Sequence, residues 1–214
     1  WLPSLLRGLL AVAGSLYTLV VSARNACYDR RLARVRRVAT PVVSVGNLTL
    51  GGTGKTPMVE WLVRWFQARG VAVAIVSRGY KAPSGAPNDE ALELADKLPG
   101  TPHVQDPRRV VAAEQAIREQ GAELIVLDDA FQHRRIHRDL DVVLLDALEP
   151  FGYERVFPRG MLREPMSGLK RADAVVLSRS DAVGVPQREA IRQRVRQLAP
   201  QALWLEAVQR PCGL

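Results

Sequence analysis

After Thr40 the chain alternates short unbroken apolar runs with longer segments of helical period, the pattern of strands buried on both faces and joined by helices. Pro41–Val45 reads as the first such strand and Gly46–Gly54 as a turn-rich loop. Met58, Trp61, Leu62, Trp65 and Phe66 then fall at i, i+3, i+4, i+7 and i+8, an amphipathic helix that stops at Gly70. Pro57 sits in its first turn, where a missing amide hydrogen costs little. Val71–Val76 is a second strand, and the polar stretch Ser77–Asn88, with Gly79, Pro83, Gly85 and Pro87, is a loop. Helices are expected at Asp89–Lys97 and Pro107–Gln120 with a short strand near His103 between them. Glu123–Leu127, Leu140–Leu145 and Ala174–Leu177 are strands, followed by a helix over Gln187–Leu198 and a last strand at Ala202–Val208. There is no internal repeat or low-complexity tract. The expected fold is α/β, a mostly parallel sheet with helices on both faces, preceded by an apolar and basic helical segment. Right-handed crossovers place the loops after the strands along one rim, where ligands bind. The long connection Ala147–Gly168 is expected to carry function.

Residues 1–39 read as a separate amino-terminal segment and 40–214 as the main domain. Gly8–Ala23 holds no charge, and Arg24 and a cluster from Arg30 to Arg37 follow it. The uncharged run is somewhat short of the roughly 20 residues that span a bilayer. An apolar helix followed by a basic one suits the headgroup region of an anionic membrane, with arginines on phosphates. A short anchor, a helix capping the domain's own core and a secretory signal also fit the run. Composition changes the picture in one respect. The net charge is +8, yet residues 1–39, with seven arginines and one acid, account for +6 of it. The basic feature is local, and a nucleic-acid-binding surface is not expected. Four lysines leave 26 arginines, a bias that a GC-rich genome also produces. Two cysteines, Cys27 and Cys212, exclude a disulfide scaffold and a four-cysteine zinc site.

Gly51, Gly52, Thr53, Gly54, Lys55 and Thr56 lie between a strand and a helix. Glycines let backbone amides close around phosphate oxygens, and the helix amino terminus favours the anion. Lys55 would reach the β- and γ-phosphates and the Thr56 hydroxyl would hold Mg²⁺. The usual GxxxxGK[ST] spacing asks for glycine where this chain has Thr49. Leu124–Asp129 is an apolar strand ending in two carboxylates, and P-loop enzymes need an acid there for the metal. Adjacent acids point to different sides, so one can serve the metal and the other the substrate or nucleophile. Asp129, His133 and His137 share a helical spacing that could form a metal site, but Arg134, Arg135 and Arg138 would repel a dication. His133 is expected instead as a polar contact. Ser178–Arg179–Ser180–Asp181 follows a strand where some GTPases read guanine with NKxD; the match is poor and a loop is expected.

GNLTLGGTGKTP (46–57), SRGY (77–80), DEAL (89–92), LDDAFQHRRIHRD (127–139) and RGMLREP (159–165) resemble the tetraacyldisaccharide 4′-kinases, the lipid A 4′-kinases of Gram-negative bacteria. The resemblance runs in order to about Asp181. It implies transfer of the γ-phosphate of ATP, with Mg²⁺, to the 4′-hydroxyl of a lipid disaccharide 1-phosphate. The expected place is the cytoplasmic face of the inner membrane, on its anionic surface, with no obligate protein partner. By the same resemblance Gly51–Thr56 bind ATP, and Thr56, Asp128 and Asp129 hold the metal, with Asp129 also an active-site acid. Asp89, beside Glu90, matches the catalytic base. Tyr80, Glu90, Arg109, Gln132, His133 and Arg163 match the headgroup site. The family also carries an aspartate–histidine–histidine motif nearer its carboxyl terminus. The three histidines here are His103, His133 and His137, so the resemblance implies a chain without the family's final portion. The competing readings are a membrane-surface P-loop NTPase switched by its nucleotide, with no lipid acceptor, and a non-catalytic binding fragment.

Overall fold

A computed structural model of the chain describes residues 2–79 and 89–210. It divides into two compact units, one of residues 35–46 and 54–142 and the other of 1–34, 47–53 and 143–214.

The first unit is an α/β layer. Strands β1 (Val42–Asn47), β2 (Val73–Ser77), β3 (His103–Gln105) and β4 (Leu124–Asp128) run parallel in the order β3-β2-β4-β1. Every residue of β1, β2 and β4 is buried, which is why these segments read as continuous apolar runs. Helices α2 (Lys55–Gln67), α3 (Asp89–Lys97) and α4 (Arg109–Gln120) make the crossovers. The α4 face consists of Val110, Ala112, Ala113 and Ala116, packed on Ala74 and Val76 of β2 and Ile125 and Leu127 of β4. Alternate strand residues, Val73, Ile75, Leu124 and Val126, are equally buried and point the other way, towards α2 with its inward Val59, Leu62 and Val63. Helices therefore cover both faces of the sheet. The expected helix over 107–120 begins two residues later, because Arg108 has a non-helical backbone and caps the helix.

The second unit contains β5 (Leu140–Asp146) from Val143 on, with β6 (Ala174–Ser178) and β7 (Leu203–Glu206), the last two parallel. The Ala147 amide donates to the Ser178 carbonyl (3.1 Å) and the Ser178 hydroxyl to the Leu145 carbonyl (3.2 Å), joining the ends of β5 and β6. Helix α5 (Val185–Leu198) buries Ile191 and Val195. The unit also holds α1 (Leu2–Asp29), a single helix of 28 residues. The arginines beyond it, Arg30 to Arg37, lie in irregular chain and not in a second helix. Gly14 and Val21 are buried, with Ala11, Thr18 and Asn25 half-buried on the same stripe, while Leu9, Val12, Leu16, Leu19 and Val20 are exposed. The segment Arg7–Asp29 is long and apolar enough to cross a membrane by length and composition.

Candidate functional site

The loop after β1 is shaped by left-handed glycines, Gly51 at φ 111° and Gly54 at φ 79°. Gly54 caps α2, whose first turn holds Lys55 and Thr56 and no acid, so no side chain of that turn competes with an anion for its amides. Position 49 explains the departure from the usual glycine spacing. Thr49 is buried and forms an antiparallel bridge with Leu162, flanked by hydrogen bonds from Leu50 N to Met161 O (2.7 Å) and from Arg163 N to Leu48 O (2.7 Å). A residue in extended backbone has no need of glycine.

Within the first unit the strand β4 delivers both acids. Asp128 is its last residue, with only 3% of its surface exposed, and Asp129 follows in a left-handed conformation (φ 51°) that turns its carboxylate elsewhere. The Lys55 ammonium lies 3.7 Å from an Asp129 carboxylate oxygen. Asp128 Oδ1 is buried and accepts no hydrogen bond among the described residues. Burial, then the charges of Asp129 and Glu90, push its pKa up to about 6, against the pull of Lys55 and Arg109. A divalent cation would satisfy this carboxylate: the oxygen is hard, has no hydrogen-bond partner among the described residues and has the carboxylates of Asp129 and Glu90 near it. Among the described residues no three His, Cys, Asp or Glu side chains converge to hold a metal, at this site or elsewhere. Residues after Asp129 form turns and not a helix, so Asp129, His133 and His137 lose the shared face their spacing offered.

Arg109 opens α4 and is itself buried, donating from Nη2 to the Asp128 carbonyl and from Nη1 to the Asp106 carbonyl, each at 3.3 Å. Burial lowers its pKa to about 10 and leaves it cationic at neutral pH. His133 is held neutral: burial first, then Arg109, Arg135, Arg138 and Arg78, lower its pKa to about 4. Gly46 makes room for this arrangement, since a Cβ there would lie 2.6 Å from the Phe131 Cβ and 2.8 Å from its amide nitrogen.

The structure thus brings Lys55, Glu90, Arg109, Asp128, Asp129 and His133 into one electrostatic neighbourhood. Asp89 is the exposed first residue of α3, beside Glu90, and Gln132 is half-buried in the turn after the acids. Tyr80 lies outside the described residues. Arg163 belongs to the other unit, where Tyr17 donates from its hydroxyl to the Arg163 carbonyl (3.1 Å).

Sequence reasoning missed three groupings. His103 bonds the Ser77 hydroxyl (2.8 Å), and burial and Arg109 lower its pKa to about 4. Glu164, fully buried, accepts from Asn25 Nδ2 and Arg171 Nη2 (each 2.8 Å), which fastens α1 to the 159–171 segment. Asp146, at the end of β5, pairs with Arg179 at the end of β6. The last could have been found: LLDA at 144–147 ends an apolar run in an acid, as LDD at 127–129 does.

The model of the tetraacyldisaccharide-1-P 4′-kinase family matches residues 6–210. The chain belongs to this family. The tetraacyldisaccharide 4′-kinase of Chlorobaculum parvum is 45% identical over 189 residues, covering 79% of this chain and 52% of that protein. The Geobacter sulfurreducens enzyme of the same name is 42% identical over 189 residues, 80% of this chain and 54% of that protein. The chain spans about half the length of these curated relatives. Among solved structures, LpxK from Aquifex aeolicus in complex with ATP matches with a TM-score of 0.76 and 26% identity, over 95% of this chain and 82% of that one. The cell division protein FtsY of Thermotoga maritima matches at TM-score 0.54 and 16% identity over 84% of this chain and 67% of that one, a likeness of fold alone.

Proposed function

We propose that the chain is an ATP-dependent kinase that phosphorylates the 4′-hydroxyl of a lipid A disaccharide 1-phosphate at the cytoplasmic face of the inner membrane. The observation that carries this reading is the buried Asp128 carboxylate, one oxygen of which has no hydrogen-bond partner among the described residues, beside the Lys55–Asp129 pair. Amides of Gly51, Gly52, Thr53 and Gly54 and the Lys55 ammonium hold the β- and γ-phosphates. The Thr56 hydroxyl and the Asp128 and Asp129 carboxylates would hold Mg²⁺, which when bound would neutralise charge that builds on the phosphates. Asp89 accepts the proton of the sugar hydroxyl as its oxygen bonds the γ-phosphorus and the bond from that phosphorus to the β-phosphate oxygen breaks, releasing ADP, with Glu90 beside it. Arg109, whose cation survives burial, faces the developing negative charge, and Tyr80, Gln132, His133 and Arg163 contact the headgroup. Phosphoryl transfer asks mainly for such alignment and charge neutralisation. The exposed stripe of α1 and the arginines after it suit an anionic lipid surface.

The test is incubation of the chain with γ-labelled ATP, Mg²⁺ and lipid disaccharide 1-phosphate in mixed micelles. Label in the glycolipid and ADP formation that depends on the acceptor support the kinase. Phosphate release that ignores the acceptor would favour a nucleotide-switched NTPase instead.

A further inference from the structure

A crevice of about 470 Å³ separates α1 from the segment 154–166, entirely within the unit of residues 1–34, 47–53 and 143–214, and the kinase reading leaves it unused. Its two walls are fastened to each other: Tyr17 donates to the Arg163 carbonyl (3.1 Å) and Asn25 to the Glu164 carboxylate (2.8 Å). Arg155, Arg159 and Arg194 line the crevice, against Glu154 as the one acid in the lining. Glu154 is already paired with Arg194 (3.8 Å), and among the described residues neither Arg155 nor Arg159 has an ion pair or a side-chain hydrogen bond. Two guanidiniums without counter-charge suit a phosphate, which their planar donors match well. Their backbone is set before any ligand arrives. Leu162 N donates to Arg155 O (3.0 Å) and Gly160 N to Val156 O (3.2 Å), and a Cβ on Gly160 would lie 2.3 Å from the Arg155 carbonyl oxygen, so the turn requires glycine. The Arg159 stem lies along α1, its Cβ 3.7 Å from where a Cβ on Gly14 would stand. Ser15, which lines the crevice, is exposed, and so are Val12 and Leu19, its neighbours one turn to either side. The crevice therefore borders the apolar stripe of α1, which favours a lipid over a free phosphate ion. Its volume takes a glycerophosphate headgroup and is too small for a tetraacylated disaccharide.

We propose that this crevice is a headgroup site for an anionic glycerophospholipid of the surrounding membrane, a lipid distinct from the phosphate acceptor. Arg155 and Arg159 hold its phosphate, and its acyl chains leave along Val12 and Leu19. The inference rests on the reading of α1 as a lipid-facing helix and adds a discrete site to it.

The test is calorimetric titration of the chain in nonionic detergent, where no membrane surface contributes. The probes are dioctanoyl phosphatidylglycerol, the phosphatidylcholine of the same chains, and soluble glycerol phosphate. Phosphatidylglycerol is expected to bind at one equivalent and the other two at least about tenfold more weakly. Arg155→Gln with Arg159→Gln should weaken it about thirtyfold, and Ser15→Phe, which fills the mouth of the crevice and removes no charge, should weaken it as well. Arg118→Gln with Arg196→Gln takes the same charge from exposed positions outside the crevice and should bind as the parent does. Mg-ATP affinity, unmoved in each variant, reports an intact fold. Unchanged affinity in the first pair, an equal loss in the second, or glycerol phosphate bound as tightly as the lipid would overturn the proposal. So would displacement of phosphatidylglycerol by one equivalent of lipid disaccharide 1-phosphate, which would give the crevice to the acceptor. Flotation of the parent with phosphatidylglycerol vesicles tests the α1 reading separately. A chain that floats but does not titrate overturns the headgroup site alone, and one that does neither overturns both.

Discussion

Asp128 is a carboxylate removed from water with nothing donating to one of its oxygens, and its titration carries a stability signature. Its folded pKa of about 6 lies above the ordinary unfolded value, near 3.9. The folded state therefore binds the proton more tightly. Stability linked to this group is greatest below about pH 4, falls as pH rises to about 6, and stays lower beyond. Asp128→Asn removes the effect. Without ligands, the variant should gain on the parent between pH 4 and 7 by up to about 3 kcal/mol, read from denaturant midpoints; with Mg-ATP present the order should reverse. Asp89→Ala is expected to lower turnover about 10²- to 10⁴-fold with ATP affinity unmoved, and unchanged turnover would assign the base elsewhere. Much of this neighbourhood was legible beforehand because Lys55 and the twin acids follow from local chain grammar, a loop before a helix and acids after a strand. The orphaned oxygen of Asp128 and the neutral state of His133 were not, since both arise from burial among residues distant in sequence.

Among the elements, α1 shows how a segment can read correctly in type while its attachment stays hidden. The uncharged run announced a helix, but nothing in the sequence said that Asn25 and Arg171 would meet over Glu164. RGMLREP stood out as a functional stretch, and two of its residues prove structural: Leu162 bridges Thr49, and Glu164 is the buried hub. Glu164→Ala leaves the Arg171 guanidinium, 10% exposed, without its ion pair. That should cost about 3–5 kcal/mol in urea unfolding, and Glu164→Gln, which still accepts hydrogen bonds, should cost less. The strands were the easiest elements to read, because burial on both faces writes an unbroken apolar run. The helix ends were harder: α4 starts at Arg109 through a backbone turn at Arg108 that residue identity does not signal.

At the scale of the whole molecule, α1 exposes Leu9, Val12, Leu16, Leu19 and Val20 among the described residues. Leu16→Asp together with Val20→Asp is expected to abolish co-flotation with anionic phospholipid vesicles while leaving ATP binding intact. Continued flotation would locate the membrane contact elsewhere.

The alanine face of α4 has a further consequence. Ala112, Ala113 and Ala116, all without exposed surface, let that helix ride low on the sheet, and Arg109 is its first residue. The height of the helix that carries this guanidinium, which donates to the Asp128 carbonyl, thus depends on three methyl groups. Ala113→Val should cost about 1–3 kcal/mol in stability and, by lifting the helix, should weaken Mg-ATP binding as well. A lesion in this family that dims nucleotide affinity from a turn away would then be a matter of elevation and not of contact.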